Sequence, residues 1–301
     1  MNPLRITKKG EAAWYRFLRR IRVAEAAIGC GNKFKTEAWF RGVKDSQAHH
    51  LLPSLFRGYD DPNCNKSWHQ IWDLESDLFY EFAARAHELH GTLESDWDIL
   101  FAMQHYGTPT RLLDWTEVLG VAVYFAIVGV DETKVVDAKG KPIAPPCVWV
   151  LNPYRLNARS TGVTPADLWS PEMLGWDTKE KTYYTYGELL LEAGMYFEEP
   201  RAIYPRQRNP RIHAQRAWFT IHGDEYKAIE KLPKNKGFLQ QVQIPFAAIP
   251  SARQFLEDAG IDHYLLFSDL ESLSRNLREK HGLASGKKSG AAVTRRLKGR
   301  H

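Results

Sequence analysis

The run from Met103 to Thr116 reads MQHYGTPTRLLDWT and gathers His105, Tyr106, Thr110, Arg111, Asp114, Trp115 and Thr116 around one Gly-Thr-Pro corner. A surface loop has little use for a Trp, a Tyr and a Leu pair. A core segment has little use for Gln, His, Arg and Asp. A pocket wall needs both kinds. His105 is a candidate proton carrier, Arg111 a charge clamp for an anion and Asp114 a carboxylate for acid–base or electrostatic work. Tyr106 and Trp115 offer flat faces for an aromatic ring, though core packing is the commoner use of both. Arg111 and Asp114 lie three residues apart and could pair. Asp114 or Thr116 also suits the N-cap of a following helix, so Asp114 stays open between a cap and a catalytic role.

Two further stretches carry candidate chemistry. Arg41 closes an apolar run, Trp39-Phe40, and is followed by Gly42. An Arg there can clamp a phosphate in bidentate fashion while the Gly admits a ligand close to the backbone. Pairing of Arg41 with a core carboxylate is the alternative. Phe56-Arg57-Gly58 repeats the Phe-Arg-Gly order just beyond His49 and His50. Adjacent histidines rarely face one site, and no metal-ligand spacing appears, so no metal is expected. Gln215, in RIHAQRAWF, falls on an expected strand between His213 and Trp218. Glu188, Glu192, Glu198 and Glu199 could each supply an acid, and no spacing singles one out.

The elements that must position these residues follow from hydrophobic period and punctuation. Helices are expected over 11–27, 67–91 and 96–106, with a buried apolar helix over 118–130 and two more over 247–259 and 265–281. Strands are expected over 36–43, at the end of 142–150, over 211–221 and over 238–245. The stretch 157–210 reads as long loops with short elements. Helices and strands mix without a βαβ rhythm, which predicts an α+β fold with mixed, mostly antiparallel sheets flanked by helices.

Composition bounds the rest. The 301 residues are 44% hydrophobic and 12% aromatic, enough for a substantial core. Cys30, Cys64 and Cys147 are odd in number and form no CxxC pair. The longest apolar stretch is too short to cross a membrane. A soluble, reducing, cytoplasmic setting is expected. The first 22 residues carry seven basic residues against one acid, and residues 280–301 carry seven and none. The body between them holds 27 basic against 35 acidic residues. Basic ends on an acidic body could touch DNA or RNA backbones, or could simply be solvated. There is no P-loop, no GxGxxG after a strand, no GxSxG and no HExxH, which disfavours common nucleotide kinases, Rossmann dehydrogenases, serine hydrolases and zincins.

Taken together, Trp39-Phe40-Arg41-Gly42, Leu52-Pro53-Ser54, the QHYGTPTRLLDWT run with Ala122, Tyr124, Phe125 and Ala126, Arg211-Ile212 with Ala214-Gln215, and Gly260-Ile261 with Leu266-Phe267, Asp269 and Leu270 resemble the FRG domain. This bacterial and phage family is named for its Phe-Arg-Gly triplet. The likeness spans roughly 35–280, leaving 1–34 as a basic helical segment and 281–301 as a basic tail. The family usually has a Gly two residues after the Gln, where this chain has Ala217.

The order of parts is similar to that of the ADP-ribosyltransferase superfamily, which implies an ADP-ribosyltransferase-like fold and NAD as substrate. By that likeness Arg41 and Gly42 would hold NAD on a first strand. Tyr106, Thr110 and Trp115 would belong to the polar and aromatic segment, and Gln215 would approach the reacting ribose. No Gln-x-Glu or Glu-x-Glu follows, so Asp114 or a distant Glu would have to supply the acid. Three functions are therefore expected to compete. The first is an NAD-dependent ADP-ribosyltransferase, as a toxin or anti-phage effector acting on nucleic acid. The second is a phosphodiesterase or nucleotide hydrolase using His105, Asp114 and Arg111. The third is a non-catalytic nucleotide-binding module.

Overall fold

The computed structural model describes residues 6–30, 37–59, 67–90, 95–136, 140–161, 176–177, 182–183, 186, 198–205, 210–223, 226–267, 269–281 and 283. Glu188, Glu192 and nearly all of the basic C-terminal tail lie outside the described residues.

One six-stranded antiparallel sheet organises the molecule. Its strands are Trp39–Val43 (β1), Leu112–Thr116 (β2), Cys147–Leu151 (β3), Arg201–Ile203, Ala217–Ile221 and Leu239–Gln243. A separate two-stranded ladder joins Trp176–Asp177 (β4) to Thr182–Tyr183 (β5). The remaining strands are thus β6, β7 and β8, and the order across the main sheet is β6-β7-β2-β1-β3-β8. The fold is α+β, as the mixed pattern predicts.

Helices clothe the sheet. Lys8–Ala27 (α1) inserts Trp14, Phe17 and Ile21 into a core shared with Phe40, Val148, Val150 and Val242. Trp68–His90 (α2) and Asp96–Tyr106 (α3) pack over the β2–β7 end through Phe79, Leu100, Phe101 and Phe219. Leu119–Ile127 (α4) lies directly on β1. Pro153–Thr161 (α5) and Pro210–Gln215 (α6) follow, then Ile249–Asp258 (α7), His263–Phe267 (α8) and Leu270–Lys280 (α9). The opposite sheet face carries Trp39, Val43, Leu113, Trp115, Trp149 and Leu151.

Local chemistry sets the helix ends that matter for the site. Ser95 caps α3 by accepting from Asp98 N, and Gly107 ends it at φ +82°, a left-handed conformation that favours glycine. The expected helix over 118–130 forms as α4, but Asp114 does not cap it. The N-cap is Val118, whose N–H donates to Thr116 Oγ1 at 3.0 Å. Asp114 instead sits mid-strand, because Leu112–Thr116 pairs residue for residue with β7. The expected strand over 211–221 is half helix. Pro210 occupies the first turn of α6, where its missing N–H costs nothing, and Arg216 turns the chain at φ +42° into β7. Gln215 therefore ends a helix and is not on a strand.

Gly42 has a packing role that its sequence context does not announce. A Cβ there would lie 1.8 Å from Ala122 O and 2.7 Å from Ala126 N. Its bare Cα lets the backbone of α4 dock on β1, with the small Ala122 and Ala126 at the contact. Gly42→Ala is accordingly expected to cost more than about 4 kcal/mol, the range reserved for gross core disruption. Urea unfolding reads this directly, and wild-type stability in the variant would contradict the docking.

Candidate functional site

The sheet is split where it matters. β1 pairs with β3 over five residues and β2 with β7 over five, yet β1 meets β2 only at Phe40↔Thr116. Were the ladder to continue, Gly42 would face Asp114. Instead the strands part, and Arg41 Nη1 donates to the Asp114 carbonyl oxygen at 2.6 Å. The same Nη1 lies 3.6 Å from Asp114 Oδ2. A cavity of about 660 Å³ opens at this divergence, within the usual size range of small-molecule sites.

Asp114 is held by a relay that accounts for much of the motif's spelling. Gln104, near the end of α3, donates from Nε2 to Asp114 Oδ2 at 2.8 Å. Thr110 Oγ1 donates to Gln104 Oε1 at 2.5 Å and accepts from Leu112 N. Thr110 in turn is tied to the Leu-Pro-Ser turn: its N–H donates to Ser54 Oγ, and its carbonyl accepts from Leu55 N. Thr110 is thus a buried support behind the cavity wall. The Asp114 side chain is half exposed and is the only carboxylate on the cavity lining among the described residues.

The cavity brings together Arg41, Gly42, His105, Asp114, Trp115 and Gln215 from the sequence-derived candidates. Trp115 reaches the wall but is 2% exposed, and its indole N–H donates to Thr220 Oγ1, so its ring is core. Gln215 is buried, with Nε2 donating to Leu266 O at 3.0 Å and its own carbonyl accepting from Thr116 Oγ1. Tyr106 is exposed at the end of α3 and does not line the cavity. Glu199 pairs with Arg159.

Arg111 is sequestered. It precedes β2 and pairs with Glu75, not with Asp114. Nε donates to Glu75 Oε1 at 2.6 Å, Nη2 pairs with Glu75 Oε2, and Nη1 donates to His222 O at 2.9 Å. Tyr186 OH donates to Glu75, and the Phe56 ring lies 5.7 Å from the guanidinium carbon. Every member of this group is nearly or fully buried. Arg111 therefore fixes α2 and the chain after β7 to the start of β2.

Residues outside the set of candidate site residues complete the lining. Gln104 lies within the motif but was unmarked by charge. Lys44, Arg57, Phe101, Phe125, Ile212 and Phe219 come from six separate elements or turns, and no local spacing connects them. Burial pulls the Arg41 guanidinium below its ordinary range, Asp114 pushes it back up and the Arg57 charge lowers it again. Arg41 nevertheless stays protonated at neutral pH. Its buried Nε makes no hydrogen bond. Among the described residues no three His, Cys, Asp or Glu side chains are grouped to hold a metal ion, and no helix is long and apolar enough to cross a membrane.

Fold and site together define an α+β protein with a cation-lined cavity at a split in its sheet. The family model of the FRG domain matches residues 36–134. The stretch holds β1, the Leu-Pro-Ser turn, the relay and α4, so the similarity covers the core of the cavity. The elements from 210 onward lie beyond it. No curated protein and no solved structure matches the chain.

The buried Arg111 group has a pH consequence. Burial, then the neighbouring Arg111 charge, lowers the His222 pKa from 6.5 to about 3. The unfolded chain thus takes up this proton before the folded one does. Stability from neutral His222 is fully present above about pH 6.5 and is lost as pH falls toward 3, by up to about 1.4 kcal/mol per pH unit. Urea unfolding between pH 7 and 5 should show a flatter acid limb for His222→Gln than for wild type. Identical slopes would place His222 outside this linkage.

Proposed function

We propose that the chain is an ADP-ribosyltransferase that takes NAD into the split-sheet cavity. The observation that carries this reading is the Arg41–Asp114 pair, one residue from each diverging strand, on the lining of a cavity where the described residues set Arg41, Lys44 and Arg57 against one carboxylate. In this reading Arg41 neutralises the pyrophosphate, and Phe101, Phe125 and Phe219 supply apolar wall for the rings. Gln104 holds Asp114 toward the ribose. As the bond between ribose C1′ and nicotinamide nitrogen breaks, its electron pair leaves with nicotinamide and positive charge builds on the ribose. The Asp114 carboxylate stabilises that charge until an acceptor nucleophile bonds to C1′ and gives up its proton.

The exposed arginines of α1 (Arg16, Arg19, Arg20 and Arg22) suit a nucleic-acid acceptor, in keeping with a toxin or anti-phage role. The fold would then be ADP-ribosyltransferase-like, with Arg41 in the NAD-holding place on the first strand. The hydrolase reading is weaker because it needs Arg111 as a phosphate clamp, and Arg111 is committed to Glu75.

Incubation with labelled NAD and mixed DNA, RNA and protein should release nicotinamide and transfer label. Asp114→Asn should lower kcat about 10²–10³-fold with little change in KM, as expected for a group acting on developing charge. Arg41→Ala should chiefly raise KM. Absence of both transfer and nicotinamide release would refute the reading, and tight NAD binding without turnover would point to a binding module.

A further inference from the structure

The second Phe-Arg-Gly run has no part in the mechanism above, yet it reaches the same cavity. Pro53 leads into a single 3-10 turn, Ser54–Phe56, closed by Arg57 N donating to Ser54 O. Phe56 is fully buried against Tyr226, His222 and Arg111, so the residue beside it rises from a fixed base. Arg57 Nε donates to Leu52 O at 3.3 Å, which steers the stem of the side chain. Among the described residues, its terminal nitrogens make no hydrogen bond or ion pair. Arg57 is exposed, as are Lys44, His49 and His50, and all four line the cavity mouth. Arg41 lies deeper, with 18% of its side chain exposed.

Among the described residues, no carboxylate answers Arg57. Asp114 is engaged by Arg41 and Gln104. Glu230 accepts from Leu51 N and pairs with His50 Nδ1 at 2.8 Å. The Arg57 charge acts on Arg41 and disfavours its protonated form, so the two guanidiniums are near enough to repel. Two like charges at different depths of one cavity suit a ligand with two linked anionic groups, which bridges them and removes the repulsion.

We propose that Arg57 and Arg41 form the outer and inner jaws of a diphosphate subsite. The ligand class is a nucleoside diphosphate or a dinucleotide joined by a pyrophosphate, in preference to a nucleoside or monophosphate. The assignment rests on the reading that a nucleotide enters this cavity.

Calorimetry on the full chain with ADP, AMP, adenosine and inorganic pyrophosphate tests it, with circular dichroism confirming that each variant folds. Wild type should bind ADP more tightly than AMP, and AMP more tightly than adenosine. Arg57→Ala should weaken ADP and pyrophosphate about tenfold or more while leaving adenosine unchanged. Arg57→Lys should recover part of the loss, since it keeps the charge without the fork. Added salt should weaken ADP binding more in wild type than in Arg57→Ala. Equal binding of ADP and pyrophosphate by wild type and Arg57→Ala, or no pyrophosphate binding at all, would overturn the subsite. Pyrophosphate binding that depends on Arg57 in a protein that never cleaves NAD would uphold the subsite and reject the transferase. NAD cleavage with kcat/KM unchanged in Arg57→Ala would do the reverse.

Discussion

The hydrogen bond from Arg41 to the carbonyl oxygen of Asp114 stands where a sheet ladder would otherwise continue. Opposite Gly42, the Asp114 carbonyl would ordinarily accept a backbone N–H from the neighbouring strand. A guanidinium takes that place, so the strands part without leaving the carbonyl unsatisfied in a protein interior. The cavity depends on this substitution. One charged side chain holds the sheet together across its split and also brings a cation into the opening.

Everything around the split keeps it open in one geometry. Gly42 lets α4 press onto β1 from one face, which fixes the strand that carries Arg41. On the other side, the Arg111–Glu75 pair locks the start of β2 to α2. A pair so deeply buried contributes specificity of placement more than net stability, while removal of one partner would strand a charge. Between these anchors the Gln104–Thr110–Ser54 relay sets the Asp114 carboxylate. The motif thus divides its labour. Asp114 faces the cavity, Gln104 and Thr110 support it, and Arg111 holds the strand from behind.

Much of this was legible in the sequence, and what was not has a common cause. Asp96–Tyr106 carries Ser95 before it and Gly107 after it, so both helix ends could be read from local chemistry. The apolar run after Thr116 announced a buried helix, and α4 lies within it. β2 was missed because five residues directly after a turn show too little alternation, and their partners in β7 lie 101 to 109 residues further on. The same non-locality hid Glu75 from Arg111 and left Asp114 looking like a helix cap. The 211–221 stretch misled because WFTI has strong strand character and drew the preceding RIHAQ with it, although Pro210 suits a helix start. Within the site, the cavity's Arg41 and Asp114 stood out by type. Arg57 was marked only by the repeated Phe-Arg-Gly order and Lys44 by nothing, since a charged residue in a loop is ordinarily only solvated.

If NAD enters the cavity, Arg41 and Asp114 should act on it as a unit across the split. A double-mutant cycle on NAD binding measures this directly, using Arg41→Ala, Asp114→Asn and the double variant in a calorimeter. The expected coupling is about 1 kcal/mol or more, as for residues in direct contact. Additive effects within a few tenths of a kcal/mol, or no NAD binding by the wild-type protein, would contradict it.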